Sequence, residues 1–300
     1  MYDRLFPHCT YRRFALRLAL DFARGRVSVP ARFNRDNWQR YVRFRQASLH
    51  CNICGERGSP FFDFPDLNLR RAHRIGELRE TLQCRHCRAT MRHRTLAAGL
   101  LRHVSLVAGR PITSIKAAAA ARLADLKVLD TDPFSPIAVL LKHLPDYWVS
   151  SFQPGQPFDT ELSPRHWNVN LEKIGFADAT FDVLLTSDVM EHVRGIDAAH
   201  AQIHRVLKPG GAYIFTVPYD EGCTTHHQLV DTSSTTDRFL VPPQYHGDPL
   251  TGGILAYRVF GCALQQELAM LGFQVEFFEI DDPDALIIDG DVFIARKASA

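Results

Sequence analysis

The sequence predicts an α/β protein: a doubly wound domain with a parallel sheet, preceded by a small metal-binding module. Three observations predict this. From Asp125 onward, strand-like apolar runs alternate with amphipathic helical segments. One run, "FDVLLTSD", is almost continuously apolar, as strands buried on both faces of a parallel sheet are. Two C-x2-C pairs, Cys51/Cys54 and Cys84/Cys87, stand 29 residues apart ahead of that alternation.

The elements follow in order. "YRRFALRLALDFARG" spaces Phe14, Leu18 and Phe22 at helical intervals, with Arg13, Arg17 and Arg24 on another face and Gly25 as its stop. Such a helix either packs on its own protein or lies on an anionic surface. The segment Arg32–Arg45 reads as a linker, a helix or a docking arm. Each C-x2-C loop offers two thiolates from one tight turn, and two such loops make the tetrahedral set that zinc takes in structural sites. Gly55 suits the first turn. A closed four-thiolate site has no open position for water, so its role is folding rather than catalysis. Cys9, Cys223 and Cys262 have no partner at metal spacing and are expected to be plain thiols. "MRHRTLAAGLLRHV" begins a helix with Leu96, Leu100 and Leu101 inward. Its Arg92, His93 and Arg94 either grip an anion or form ion pairs with the acidic half.

Farther on, "DLKVLDT", "DYWVSSF", "FDVLLTSD" and "AYIFTVP" read as strands. "SPIAVLLKHL", "IDAAHAQIHRVLKPGG" and "ALQQELAMLGF" read as helices, the last two closed by glycine. "QVEFFEID" and "DVFIARK", joined without a crossover helix, predict a terminal antiparallel hairpin. The predicted divisions are 1–48, a basic helical segment; 49–110, the zinc module; and 111–300, the α/β domain, with an irregular insert at 219–260. Loops of that length are more often substrate walls or lids than filler.

Charge supports the division. Residues 1–110 hold 22 arginines, no lysine and 8 acids, whereas residues 111–300 hold 13 lysines and arginines against 25 acids. Either the two halves dock on each other, within one chain or between copies as a homo-oligomer, or the basic half meets an anion. No apolar run approaches the ~20 residues of a membrane span. The N-terminus lacks the apolar core of a secretory signal, and seven cysteines argue against a secreted disulfide framework. A cytoplasmic protein is expected.

"FADATFDVLLTSDVMEHV" followed by "RVLKPGGAYIFTVP" resembles the class I S-adenosylmethionine-dependent methyltransferases, in the subgroup often labelled type 11. The resemblance covers roughly Leu123 to Lys297 and implies a Rossmann-like fold. The cysteine pairs, the "RHR" and "PPQYHGDPLTGGILAYRVFG" are similar to features of bacterial zinc-ribbon methyltransferases of poorly defined substrate. The implied cofactor is S-adenosylmethionine, beside structural zinc. Asp130 stands where the family's first acid stands. Asp132 and Phe134 take the places of glycines, Ser150 and Ser151 end the second strand in place of an acid, and Asn170 and Leu171 stand where the adenine is faced. Ser187 and Asp188 end the fourth strand. Two outcomes follow from the glycine-free turn: side chains hold the sulfonium cation, through Asp130, Asp132 and the π-face of Phe134, or they fill the pocket and leave a scaffold.

Methyl transfer to a hydroxyl needs alignment and a base. Glu191 and His192 are the family's "EH" by position. In the insert, "YHGDP" offers His246 as a base, Tyr245 as a phenol and Asp248 as a carboxylate. The Asn-Pro-Pro-aromatic signature of base-methylating enzymes and a Pro-Cys nucleophile are both missing from the sequence. The simplest reading is O-methylation of a small molecule or sugar. An RNA-modifying enzyme whose zinc module grips the backbone, and a non-catalytic zinc-stabilised scaffold, are the alternatives.

Overall fold

The computed structural model describes residues 27–28, 39–40, 43–44, 49–58, 61–63, 73–74, 78–121, 123–246 and 253–299. The expected helix around Phe14–Phe22, most of Arg32–Arg45, Cys9 and Asp248 lie outside the described residues. Among them, no helix is long and apolar enough to cross a membrane.

The chain enters the described fold through the cysteine module. Strand β1 (Phe61–Asp63) pairs antiparallel with β2 (Leu82–Cys84), and a single helical turn, α1 (Leu78–Thr81), precedes β2. Helix α2 (Met91–Ala108) then runs from the module onto the sheet. Thr90 starts it by accepting the His93 amide, while the His93 ring accepts the Thr90 amide in return. That reciprocal cap satisfies two donors that helix geometry leaves unpaired. Gly109, at φ 64°, ends it in the left-handed conformation that glycine tolerates. Gly99 sits where the helix comes nearest the sheet: a Cβ there would lie 2.7 Å from Val292. The charge shift at Gly109–Pro111 falls just after this helix. The apolar core does not break there: Ile53, Leu82, Leu100, Val128, Ile214 and Val292 belong to one buried cluster.

The sheet has eight strands. They are β3 (Val128–Asp130), β4 (Tyr147–Ser151), β5 (Thr160–Ser163), β6 (His166–Asn168), β7 (Phe181–Ser187), β8 (Leu207–Thr216), β9 (Phe273–Asp282) and β10 (Ile287–Lys297). Their spatial order is β9-β10-β8-β7-β3-β4-β6-β5. The pairs from β8 through β6 are parallel, and β10 pairs antiparallel with both β8 and β9. Strand order reverses between β3 and β7, which makes the carboxyl ends of those strands the topological switch point where open α/β sheets bind ligands.

The predicted hairpin is present, and its second arm lies inward. Burial explains why: Val292 to Ala295 are inaccessible, whereas every residue of β9 after Phe273 is at least partly exposed. Helices α2, α3 (Ile115–Ala119) and α4 (Pro136–Leu141) belong to the core on one face. Helices α5 (Ile196–Val206) and α6 (Ala263–Met270) cover the other. The short antiparallel pair β5–β6 was not legible as strands, being brief and mostly polar. Among its described residues the insert holds three two-residue antiparallel pairings, which join His227–Gln228 to Arg258–Val259, Val230–Asp231 to Arg238–Phe239, and Tyr245–His246 to Ile254–Leu255.

Candidate active site

The four cysteines converge. Cys51 Sγ lies 3.7 Å from Cys87 Sγ, and Cys54 Sγ lies 3.8 Å from Cys84 Sγ. A metal with ~2.3 Å bonds to four tetrahedral sulfurs spaces them about 3.8 Å apart, whereas a disulfide would hold two at ~2.05 Å. The two loops are closed alike: the Gly55 amide donates to the Cys51 carbonyl, and the Arg88 amide to the Cys84 carbonyl. The donor set therefore fits zinc.

The arginines beside the knot divide their work. Arg94 is inaccessible to solvent. It donates to four carbonyls, those of Leu82, Ala89, Ala285 and Leu286, at 2.9–3.1 Å. It thereby rivets the knot to the turn between β9 and β10, and burial lowers its guanidinium pKa to about 10. Arg92 points the other way. It donates to Glu80 at 2.8 Å and to Ser187 Oγ at 2.6 Å. Arg79, which the sequence did not single out, makes a two-pronged pair with Asp188, one arm at 2.8 Å. The Thr216 hydroxyl donates to the same carboxylate. Burial alone would raise the Asp188 carboxyl, but the Arg79 guanidinium, with Arg92 behind it, holds it well below the usual range. Of the two readings of the "RHR", ion pairing with the acidic half describes Arg92 in part: its Nε lies 3.6 Å from Asp188, but its shorter pair is with Glu80 of its own half. Arg94 binds backbone instead. His93 bonds Thr90 through Nδ1 and brings Nε2 to 3.7 Å from Asp132.

The glycine-free turn is built from its own carboxylates. Asp130 is only 2% exposed. It accepts from the Tyr147 hydroxyl, from Ser135 and from the Asp132 amide. Burial, together with the nearby Asp132 charge, raises its pKa to about 7. Asp132 accepts the Phe134 amide at 3.1 Å. The Thr131 amide goes to Leu185, and the Ser135 amide to the Asp132 carbonyl. Pro133 has no amide hydrogen, so every backbone donor from Thr131 to Ser135 is taken up within the protein, Thr131's by β7 and the others inside the turn. What the turn presents outward is side chain: the part-exposed Asp132 carboxylate and the Phe134 ring, which is 64% exposed. Between this turn and the knot runs a groove of about 540 Å³ walled by His86, Arg88, His93, Phe134 and Val139.

The other predicted cofactor residues lie along the same edge. Ser150 is buried, and Ser151 shares a 2.8 Å hydrogen bond with His166. Asn170 accepts the Glu172 amide, and Leu171 is buried next to it. Asn168, which was missed, is inaccessible and ties the loop at 153–157 through four hydrogen bonds.

The insert brings the predicted chemical residues together. A single 3₁₀ turn, Met190–His192, carries Glu191 and His192 just past β7. Tyr245–His246 returns over it from the insert. Glu191 is inaccessible, and neither carboxylate oxygen has a hydrogen-bond partner among the described residues. His192 Nε2 lies 3.7 Å, and His246 Nδ1 3.6 Å, from the same Glu191 oxygen. The two rings stand edge to face with centroids 4.9 Å apart. Tyr245 is exposed beside them. Arg258, also missed, is 2% exposed and donates to the carbonyls of Met190, Val193 and Arg194, so it fixes the turn that carries Glu191. An arginine framed by apolar residues in "AYRVF" was its one sequence signal.

The strand order, with the antiparallel last strand inserted beside β8, is the class I methyltransferase fold. A family model described as a methyltransferase domain matches residues 156–215. Highly reducing polyketide synthase cm3B of Cordyceps militaris is 26% identical over 209 residues, 67% of this chain. The chain spans only 8% of that protein's length. Among solved structures, a Burkholderia thailandensis 1,6-didemethyltoxoflavin-N1-methyltransferase, with bound S-adenosylhomocysteine, is 17% identical. It covers 70% of this chain and 79% of its own at a TM-score of 0.38. A Mesorhizobium loti S-adenosylmethionine dependent methyltransferase is 16% identical, covering 61% of this chain and 100% of its own at 0.37. Likenesses at these scores carry no argument here, and the fold rests on the sheet itself.

Proposed function

We propose that the protein is an S-adenosylmethionine-dependent methyltransferase that acts on a hydroxyl oxygen of a small molecule or sugar, with zinc in the cysteine knot as a structural ion. The observation that carries this reading is the meeting of His246, from the insert, with Glu191 and His192 at the carboxyl edge of a methyltransferase-type sheet.

The cofactor would supply an electrophilic methyl group. The residues present fit it through side chains rather than amides. Asp132 offers charge, and Phe134 an exposed π-face, to a sulfonium cation. A cofactor without phosphate at this point does not need an amide cradle. Asp130 would act through the turn it organises, since its own oxygens are taken up inside the protein. Ser151 and Asn170 stand where ribose and adenine hydrogen bonds would form. Ser187 and Asp188 are fixed by Arg92, Arg79 and Thr216.

Acceptor activation falls to the histidines. The His192 Nδ1–H donates to the Leu255 carbonyl at 2.8 Å, which leaves Nε2 as the basic nitrogen. His246 is 44% exposed in its side chain, open to an incoming acceptor. Either ring can take the hydroxyl proton as the oxygen attacks the methyl carbon and the carbon–sulfur bond breaks. Tyr245 stands exposed beside the histidines, where a hydroxylated substrate would be met.

The test is to incubate methyl-labelled S-adenosylmethionine with the full chain and separate panels of sugars, phenols and RNA. The expected result is label in a small hydroxylated acceptor, reduced at least roughly 100-fold in His246→Ala, as removal of a positioned base does. Label entering RNA in preference would replace the acceptor assignment.

A further inference from the structure

We infer that Glu191, His192 and His246 form a second metal site, for a divalent first-row transition ion, separate from the cysteine knot. The argument starts from Glu191. Its carboxylate is inaccessible to solvent and accepts no hydrogen bond at either oxygen from the described residues. A charged carboxylate buried in that way is strongly unfavourable unless a proton or a cation joins it. The two nitrogens facing it, at 3.6 and 3.7 Å, stand beyond hydrogen-bond distance. His192 spends its Nδ1–H on Leu255, so in the neutral ring the nitrogen turned to Glu191 carries a lone pair. A lone pair facing a carboxylate at 3.7 Å is repulsive without something positive between them.

The spacing suits an ion. The three ligand atoms lie within 4.8 Å of one another. The two nitrogens stand 3.6 and 3.7 Å from the same oxygen. An ion with ~2.0–2.2 Å bonds to nitrogen and oxygen donors spaces neighbouring ligands about 3.4 Å apart in tetrahedral geometry. A contraction of a few tenths of an ångström would bring each nitrogen to that spacing from the Glu191 oxygen. The Nδ1–H to carbonyl bond of His192 is the outer contact that fixes the tautomer of a metal-bound histidine. Arg258 holds the backbone of the same turn through three carbonyls. Two imidazoles and one carboxylate suit zinc, iron, manganese or cobalt better than calcium or magnesium. Three protein ligands with a partly exposed side leave open positions for water or a hydroxyl.

The ion's role in catalysis rests on the methyltransferase reading; its binding does not. If that reading holds, the ion takes over the base role given above to the histidines: an acceptor hydroxyl bound to it would ionise near neutral pH, its proton passing to solvent water at the exposed side, and the resulting oxyanion would be held for attack on the methyl carbon as the carbon–sulfur bond breaks.

The experiment is cobalt titration of the full-length, metal-depleted chain, followed by absorption spectroscopy and calorimetry, with S-adenosylhomocysteine binding measured on the same sample. The expected result is two classes of cobalt: one with intense thiolate charge-transfer absorption, and a further one without it. His246→Ala and Glu191→Gln should each weaken the second class by roughly 100-fold or more, beyond what outer-sphere changes cause, and leave the thiolate band intact. His246 is the safer variant because it is partly exposed, and the intact band reports that either variant has folded. A wild-type chain that shows only the thiolate class, while keeping that band, overturns the site. If S-adenosylhomocysteine fails to bind but the second class is present, the metal site stands and the methyltransferase reading falls. If the cofactor product binds and the second class is missing, the histidines act as bases alone.

Discussion

Buried carboxylates at one edge of the sheet are treated in two ways. Asp130 and Asp188 are fully provided for: one by Tyr147, Ser135 and a backbone amide, the other by Arg79 and Thr216. The Glu191 carboxylate, one turn beyond Asp188, has no hydrogen-bond partner among the described residues. The first two are framework, holding the turn and the cysteine module in place. The third is arranged toward something that is not part of the chain. A buried acid becomes informative about ligands when its donors are missing, and position in a motif does not distinguish the two cases.

The largest way to break the framework side is to open the knot. Cys84→Ser, or strong chelation, should cost on the order of 5 kcal/mol or more, because structural zinc contributes folding free energy directly. Denaturant melts should lose the cooperative transition that joins the module to α2. Next, Arg94→Met removes donors from four buried carbonyls. At ~1–3 kcal/mol for each buried group left unsatisfied, a loss of about 3 kcal/mol or more is expected in urea unfolding.

Arg79→Ala is smaller. Its side chain is 36% exposed, so solvent screens the pair, and about 1–2 kcal/mol is expected at neutral pH. The sign follows from Asp188, whose folded pKa lies below its unfolded value. The stability it contributes is present above the unfolded carboxylate range and fades as pH falls through the folded pKa. The gap between wild type and Arg79→Ala should therefore close in acid. A gap that persists unchanged in acid melts would mean Arg79 acts by packing alone.

Asp130 has the opposite sign. Its pKa is raised to about 7 by burial and by Asp132. Its contribution is fully present below the unfolded pKa and is lost as pH rises toward 7. Asp130→Asn should flatten that loss, with a gain on the order of 1 kcal/mol at pH 8. Equal pH slopes for the two proteins would place the proton elsewhere.

Much of this was legible in the sequence. The apolar run of β7, helix α6 with Gly272 after it and the paired cysteines carry local signals that survive without tertiary context; α5 instead ends at Val206, and the expected Pro-Gly-Gly stop lies in β8. The inward position of β10 did not, because it depends on which arm of the hairpin buries both faces. Glu191, His192 and His246 were legible as residue types, but their meeting depends on an irregular insert that returns to them more than fifty residues later in the chain. Arg79 and Arg258 were invisible for a related reason. An arginine that binds carbonyls or a distant acid has no spacing rule, and the Asp188 and carbonyl partners of these two lie 64 to 109 positions away. The glycine-free turn was legible as a departure. Only the structure shows that two aspartates take over the turn's amides and leave Phe134 outward.

The measurement that bears most directly on the central claim is calorimetry of S-adenosylmethionine and S-adenosylhomocysteine with zinc-loaded protein, wild type and Phe134→Ala. The account predicts micromolar binding of both by the wild type. It further predicts that the exposed Phe134 substitution weakens the cationic sulfonium ligand by roughly 3- to 30-fold and the neutral thioether product less. No heat at millimolar ligand from the folded, zinc-loaded chain would contradict it and leave the turn as a filled pocket on a scaffold.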